Sequence, residues 1–159
     1  MATKRFSLGT VLSVTTGRLL TEPKGERDNG ISDMYELLNH MTGDLPYTHQ
    51  LVRFAGECKP WLLRWFPELA QADVHLGELD HGIESVKAAG KDVALAIHKW
   101  LDRCVVDLGM NAEYEIGPIP ADDHDVIDPH TELVTMGVDP DKIVRVETQE
   151  QEGERDERD

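Results

Sequence analysis

His40–Leu69 reads HMTGDLPYTHQLVRFAGECKPWLLRWFPEL, and its spacing organises the reading of the whole chain. Gly43 follows an apolar run and can stop a helix, because glycine adopts positive φ at no steric cost. Asp44, Pro46 and Thr48 form a short turn from which Asp or Thr caps the next helix. Tyr47, Leu51, Phe54 and Cys58 then recur at helical spacing and define one apolar face. His49, Arg53 and Glu57, each four apart, line another face with Gln50 beside them. Pro60 is expected to open a second short helix, Trp61–Phe66, which Pro67 closes. Trp61 and Trp65, again four apart, are read as packing residues, as is Trp100.

The chain has 159 residues, enough for a substantial core, and its 40% hydrophobic content is that of a globular protein. Residues 1–147 are read as one globular domain and 148–159 as a disordered acidic tail. There are 31 acidic against 16 basic residues, a net charge of −15. This excess repels phosphates and disfavours nonspecific nucleic-acid binding. Seven acids and two Arg fall in Glu147–Asp159, without an apolar anchor among the charges of its last residues. The only cysteines, Cys58 and Cys104, have neither CxxC nor zinc-site spacing and read as buried reduced thiols. Met1–Arg5 lacks the apolar run of a signal peptide and no window approaches a membrane span. A cytoplasmic location is the expectation.

The fold class predicted is mainly α (α+β): a small helical domain with a central long helix and a short C-terminal two-strand element. Ser7 caps a first helix, with Phe6 and Val11 placed as a hydrophobic staple. The β-branched Val11, Val14, Thr15 and Thr16 leave a strand as its alternative. Gly17 is its stop. Glu22–Gly30, EPKGERDNG, is a turn-rich loop. Ser32 or Asp33 caps the next helix, Asp33 and Glu36 having capping-box spacing, and its apolar face is Ile31, Met34, Leu38 and Met41. His40 lies near its C-terminus, where the helix dipole favours a cation.

The longest periodic segment runs from Asp80 to Leu108, through Ile83, Val86, Val93, Ile97, Trp100 and Cys104, and ends at Gly109. Gly90 inside it is read as a close crossing by another helix. Tyr114–Ile116 and Ile143–Val146 are the strand candidates, and Asp128-Pro129 opens one helical turn.

Several clusters suggest chemistry and fail on spacing. His75, Glu78, Asp80 and His81 lack the HExxH pattern that sets two imidazoles on one metal. Asp122–Glu132 lacks the glycine and glutamate positions of a calcium loop, and reads as a solvated acidic loop. His98 and Asp102, four apart, have no nucleophile near them and read as structural. No metal and no cofactor are expected.

The segments FSLGTVLSVTTGRLL, MTGD followed by THQL, ECKPWLLRWFPEL and PIPADDHDVIDPHTEL together resemble an uncharacterised family of small proteins encoded by bacteriophages and prophages, a domain of unknown function. The resemblance implies an accessory protein acting in a bacterial host cytoplasm. It carries across no activity, substrate or catalytic residue. The acidic tail and GERDNG are departures from the family pattern.

The functional expectation is a non-enzymatic binding module for a host or phage protein, or for a small polar ligand. Its site is the corner where one helix ends and the next begins: Thr42, Gly43, Asp44, Thr48, His49, Gln50 and Arg53. Free carbonyls and N–H groups meet there, and Arg53 suits a phosphate or carboxylate. The alternatives are a small hydrolase or transferase using His49 and Asp44 with His124 or His130, and an acidic nucleic-acid mimic. An apolar-striped helix also leaves room for a homodimer.

Overall fold

Lys4–Ser7 (β1) runs straight into the helix Leu8–Thr16 (α1). In the computed structural model, residues 2–22, 30–139 and 141 are described. Ser7 caps α1 as its sequence predicts, accepting from the Thr10 N–H at 3.2 Å. Phe6 and Val11, the staple pair, are both buried. Every residue from Leu8 to Thr15 is buried, so α1 is covered on all sides and becomes the element that the others pack around. It packs against α2 (Ser32–Thr42), α3 (Leu51–Trp65) and α4 (Gln71–Val74).

The polar groups inside α1 are satisfied locally. Ser13 donates to the Gly9 carbonyl at 2.7 Å and accepts from the Leu20 N–H at 2.9 Å. A Cβ on Gly9 would lie 2.6 Å from the Leu20 carbonyl oxygen. Glycine is therefore the residue that lets the returning chain lie against α1, and Ser13 then holds that chain.

The fold class agrees with the sequence pattern: among the described residues, seven helices and one two-stranded antiparallel sheet. Its sheet has a different partner. β2 (Glu113–Ile116) pairs with β1, in the register Lys4 with Ile116 and Ser7 with Glu113. The other strand candidate, Ile143–Val146, and the acidic tail lie outside the described residues. Phe6, Tyr114 and Ile116 point inward by period two, and His40 donates Nε2–H to the Ile116 carbonyl at 2.6 Å, tying α2 to the sheet.

Two helix boundaries differ from those expected. Pro60 does not start a new helix; α3 runs unbroken through it. Phe54, Cys58 and Leu62 have no exposed surface, so the apolar stripe continues across the proline. Pro60 itself faces solvent and has Gly56 four residues before it, without a side chain to crowd its ring. Burial of three core side chains outweighs one lost backbone bond of about 3 kcal/mol.

Asp80–Leu108 is likewise not one helix but a hairpin, α5 (Leu76–Ala88) and α6 (Val93–Leu108). Gly90 is its turn, at φ +73°, with no atom within 4 Å of where a Cβ would stand. It provides a left-handed backbone, not a close crossing. Asp92 caps α6 through the Ala94 N–H at 3.0 Å. Trp100 packs into the core and donates Nε1–H to the His75 carbonyl at 3.1 Å, which holds α6 against the start of α5.

α2 starts at Ser32 with Ile31 in the N-cap place. Asp33, expected to cap the helix, lies within its first turn, and Glu36 pairs with Lys4 at 2.7 Å. No helix among the described residues is long and apolar enough to cross a membrane.

Met1–Asp125 and Val126–Asp159 are separate compact units. The described part of the second contains α7 (Pro129–Thr135), opened as expected by Asp128, whose Oδ2 accepts from the Thr131 N–H at 3.0 Å. That bond holds the Asp128 carboxyl below its ordinary pKa.

Candidate functional site

The corner between α2 and α3 is built from the sequence features that mark it. Gly43 closes α2 in the left-handed conformation, φ +75°. Thr42 donates to the Leu38 carbonyl at 2.8 Å and accepts from the Asp44 N–H at 3.1 Å. Thr48 Oγ1 lies 2.8 Å from the Tyr35 hydroxyl. Gln50 is buried and its Oε1 accepts from the Tyr47 N–H at 3.0 Å, closing the turn before α3. The His49 ring stands 6.2 Å from that of Tyr47. Thr42, Gly43, Thr48 and Gln50 thus shape the corner itself.

Asp44 and Arg53 reach further, onto a network that only the tertiary fold assembles. After β2 the chain passes buried Ile119, whose N–H donates to the Met41 carbonyl at 2.9 Å, and turns through a short 3₁₀ segment, Ala121–Asp123. This delivers His124 between two carboxylates. Its Nε2 is 2.9 Å from Asp44 Oδ2 and its Nδ1 is 2.5 Å from Glu57 Oε1. Glu57 Oε2 accepts from Arg53 at 2.9 Å and from the Asp125 N–H at 3.1 Å, while Arg53 also donates to the Asp125 carbonyl at 2.6 Å. The Phe54 ring closes the base of the site, edge-on to His124 at 4.8 Å.

The His124 side chain is 3% exposed. Burial disfavours its charged form, but hydrogen bonds and charge from Glu57 and then Asp44 more than offset this, and its pKa lies above the ordinary histidine value. An imidazolium donates from both nitrogens, which is what two facing carboxylates require. With both nitrogens engaged, the ring has no lone pair for general-base work.

The thiols are protected in another way. Burial first, then the Glu57 charge, pushes Cys58 up to about 12. Burial raises Cys104 to about 11, with Arg103 opposing and Glu78 adding to the rise. Both remain protonated near neutrality and poor nucleophiles. Among the described residues no group of three or more His, Cys, Asp and Glu is arranged to hold a metal ion. His98, four residues from Asp102, meets Glu22 at 2.6 Å.

Residues 6–72 match the family model of a domain of unknown function, DUF7736. No curated protein and no solved structure matches the chain. The DUF7736 match spans β1 residues from Phe6 onward, α1, α2, α3 and the first residues of α4, so it includes Asp44, Arg53 and Glu57. His124 and Asp125 lie outside it, as does the segment PIPADDHDVIDPHTEL that contributes to the resemblance above.

The sequence reading placed Asp44 and Arg53 at the site and noted Glu57 on the same helical row. It offered His124 only as an alternative with His130 in the hydrolase or transferase reading, and left it out of the binding corner because the acidic loop reads as solvated. The available signal was the charge pattern: a lone imidazole among four nearby acids, and an Arg–Glu pair at i,i+4. His130 belongs to α7 in the second unit.

Proposed function

We propose that this chain is a non-enzymatic interaction module acting in a bacterial cytoplasm, and that its α2–α3 corner meets a partner protein of the host or of a phage. One observation carries the reading. Leu45, Tyr47 and Val52 fall within eight residues of this corner and are 65%, 39% and 84% exposed. The backbone that presents them is held by the Gln50–Tyr47 bond, the Tyr35–Thr48 pair and the bridge from Asp44 through His124 to Glu57. Apolar side chains displayed on a rigid frame are what a protein interface uses as anchors.

The polar groups proposed for this site from sequence support the same choice. Thr42, Asp44, Gln50 and Arg53 each bond within the fold. A small polar ligand would have to displace those bonds, whereas a protein surface can cover the apolar side chains without disturbing them. Of the residues in the hydrolase or transferase reading, Asp44 and His124 are already bonded to each other, and the His124 ring is held between Asp44 and Glu57; this favours the interaction reading.

The test is site-directed photo-crosslinking from position 47 in host cells producing the full chain. The expected result is one dominant protein adduct, lost in the double variant Leu45→Ser, Val52→Ser, with an unchanged melting temperature for that variant. Adducts indifferent to the double substitution would overturn the proposal.

A further inference from the structure

We propose that the chain associates with a second copy of itself, two α6 helices packing antiparallel about a two-fold axis at the level of Trp100 and Leu101. α6 turns its core side, with Ala96, Trp100 and Cys104, inward. On the opposite side Leu95, Lys99, Asp102 and Val106 are all exposed, Leu95 at 54% and Val106 at 79%. At 100° per residue these four positions fall within about 60° of arc, a single stripe along the helix. Among the described residues neither Lys99 nor Asp102 forms an ion pair within the chain.

The order of the stripe identifies the occupant. It reads apolar, basic, acidic, apolar, and its inner and outer pairs share one midpoint. An antiparallel copy in that register sets Leu95 against the partner's Val106 and Lys99 against the partner's Asp102. The two-fold axis repeats both contacts in reverse. An isologous interface requires that residue i meet j while j meets i, and a partner of unrelated sequence places no such condition on α6. A cavity of about 800 Å³ flanks the stripe on the α5 side, lined in part by Gly82, Val86, Ala96 and Trp100. The second copy would cover it. Reversing the pairing to parallel would set Lys99 against Lys99 and Asp102 against Asp102, so the charges also select the orientation.

The net charge of −15 opposes self-association at long range. The experiment is therefore run on the full chain near 0.15 M salt, where the screening length is about 8 Å. Sedimentation equilibrium from about 1 µM to about 1 mM covers the span in which a small interface dissociates. The wild type is expected to pass from one chain to two across it. Lys99→Asp sets acid against acid and Asp102→Lys sets base against base; each should raise the dissociation constant at least about tenfold. The double variant restores opposite charges and should recover the dimer, and mixing the two single variants should yield a heterodimer. Circular dichroism checks that each variant, altered only on the surface, is folded. A wild type that stays monomeric throughout would overturn the proposal. So would a dimer unaffected by either single substitution, or folded single variants whose dissociation the double variant does not reverse.

Discussion

Nδ1 of His124 lies 2.5 Å from Oε1 of Glu57, a contact across 67 positions of the chain that clamps the 3₁₀ turn Ala121–Asp123 to the middle of α3. On its other side the same ring reaches Asp44, so one imidazolium joins the α2–α3 corner, α3 and the segment after β2. This bridge keeps the corner rigid and makes the fold sensitive to pH.

The raised pKa of His124 sets the sign of that sensitivity. The folded state holds its proton more tightly than the unfolded state, where the value is about 6.5. The stabilisation is complete below that pH and is lost as pH rises through the folded value. The melting temperature should therefore fall between pH 6 and pH 9, and His124→Gln should flatten the dependence. At pH 6 the substitution should cost about 3 kcal/mol, since Glu57 keeps Arg53 and the Asp125 N–H as partners. Thermal melts of both proteins across this range check the prediction; equal slopes would refute it.

Cys58 and Cys104 should resist alkylation in the native protein at pH 8. Burial raises both thiols to about 12 and about 11, leaving little thiolate to react. Mass spectrometry after iodoacetamide should show no modification until denaturant is added, and then two. Rapid native labelling of either would contradict the packing described.

Pro60→Ala should stabilise the protein by about 1 kcal/mol. The proline is exposed inside α3 and leaves the Gly56 carbonyl without its helical donor. Alanine restores that donor and the helix propensity, less a smaller loss from a more flexible unfolded chain. Urea titration measures the change, and destabilisation would show that the proline ring itself contributes to the packing of α3.

The tryptophans, all expected to be packing residues, should separate. Trp100 is 5% exposed and bonds to His75, so Trp100→Ala should cost about 3–5 kcal/mol. Trp61 is half-buried and donates Nε1–H to Asp123 at 2.8 Å. Trp61→Phe keeps most of its packing and should cost about 1 kcal/mol. Equal losses in chemical denaturation would reverse the assignment of which ring anchors the core.

What the sequence alone determined is local. Helical spacing predicted the apolar faces of α3 and α6, except that Tyr47, expected on the first, precedes α3 and is 39% exposed; Ser7 and Gly17 marked the ends of α1, and the break between α2 and α3 followed from Gly43 and Pro46. These signals survive because each depends on neighbours within about one helical turn. Other outcomes depended on surroundings that spacing does not report. Whether Pro60 ends a helix turned on how much apolar surface lay on both sides of it. Gly90 could serve a crossing or a turn, and only the packing of α5 on α6 chose the turn. The short strand Tyr114–Ile116 could not name its partner, because a four-residue ladder has little pattern of its own and takes whichever edge the core brings near. His124 is the clearest case. An imidazole in an acidic loop is solvated unless the chain folds back, and its burial between Asp44 and Glu57 follows from where α2, α3 and β2 place three distant segments, a relation set by tertiary packing.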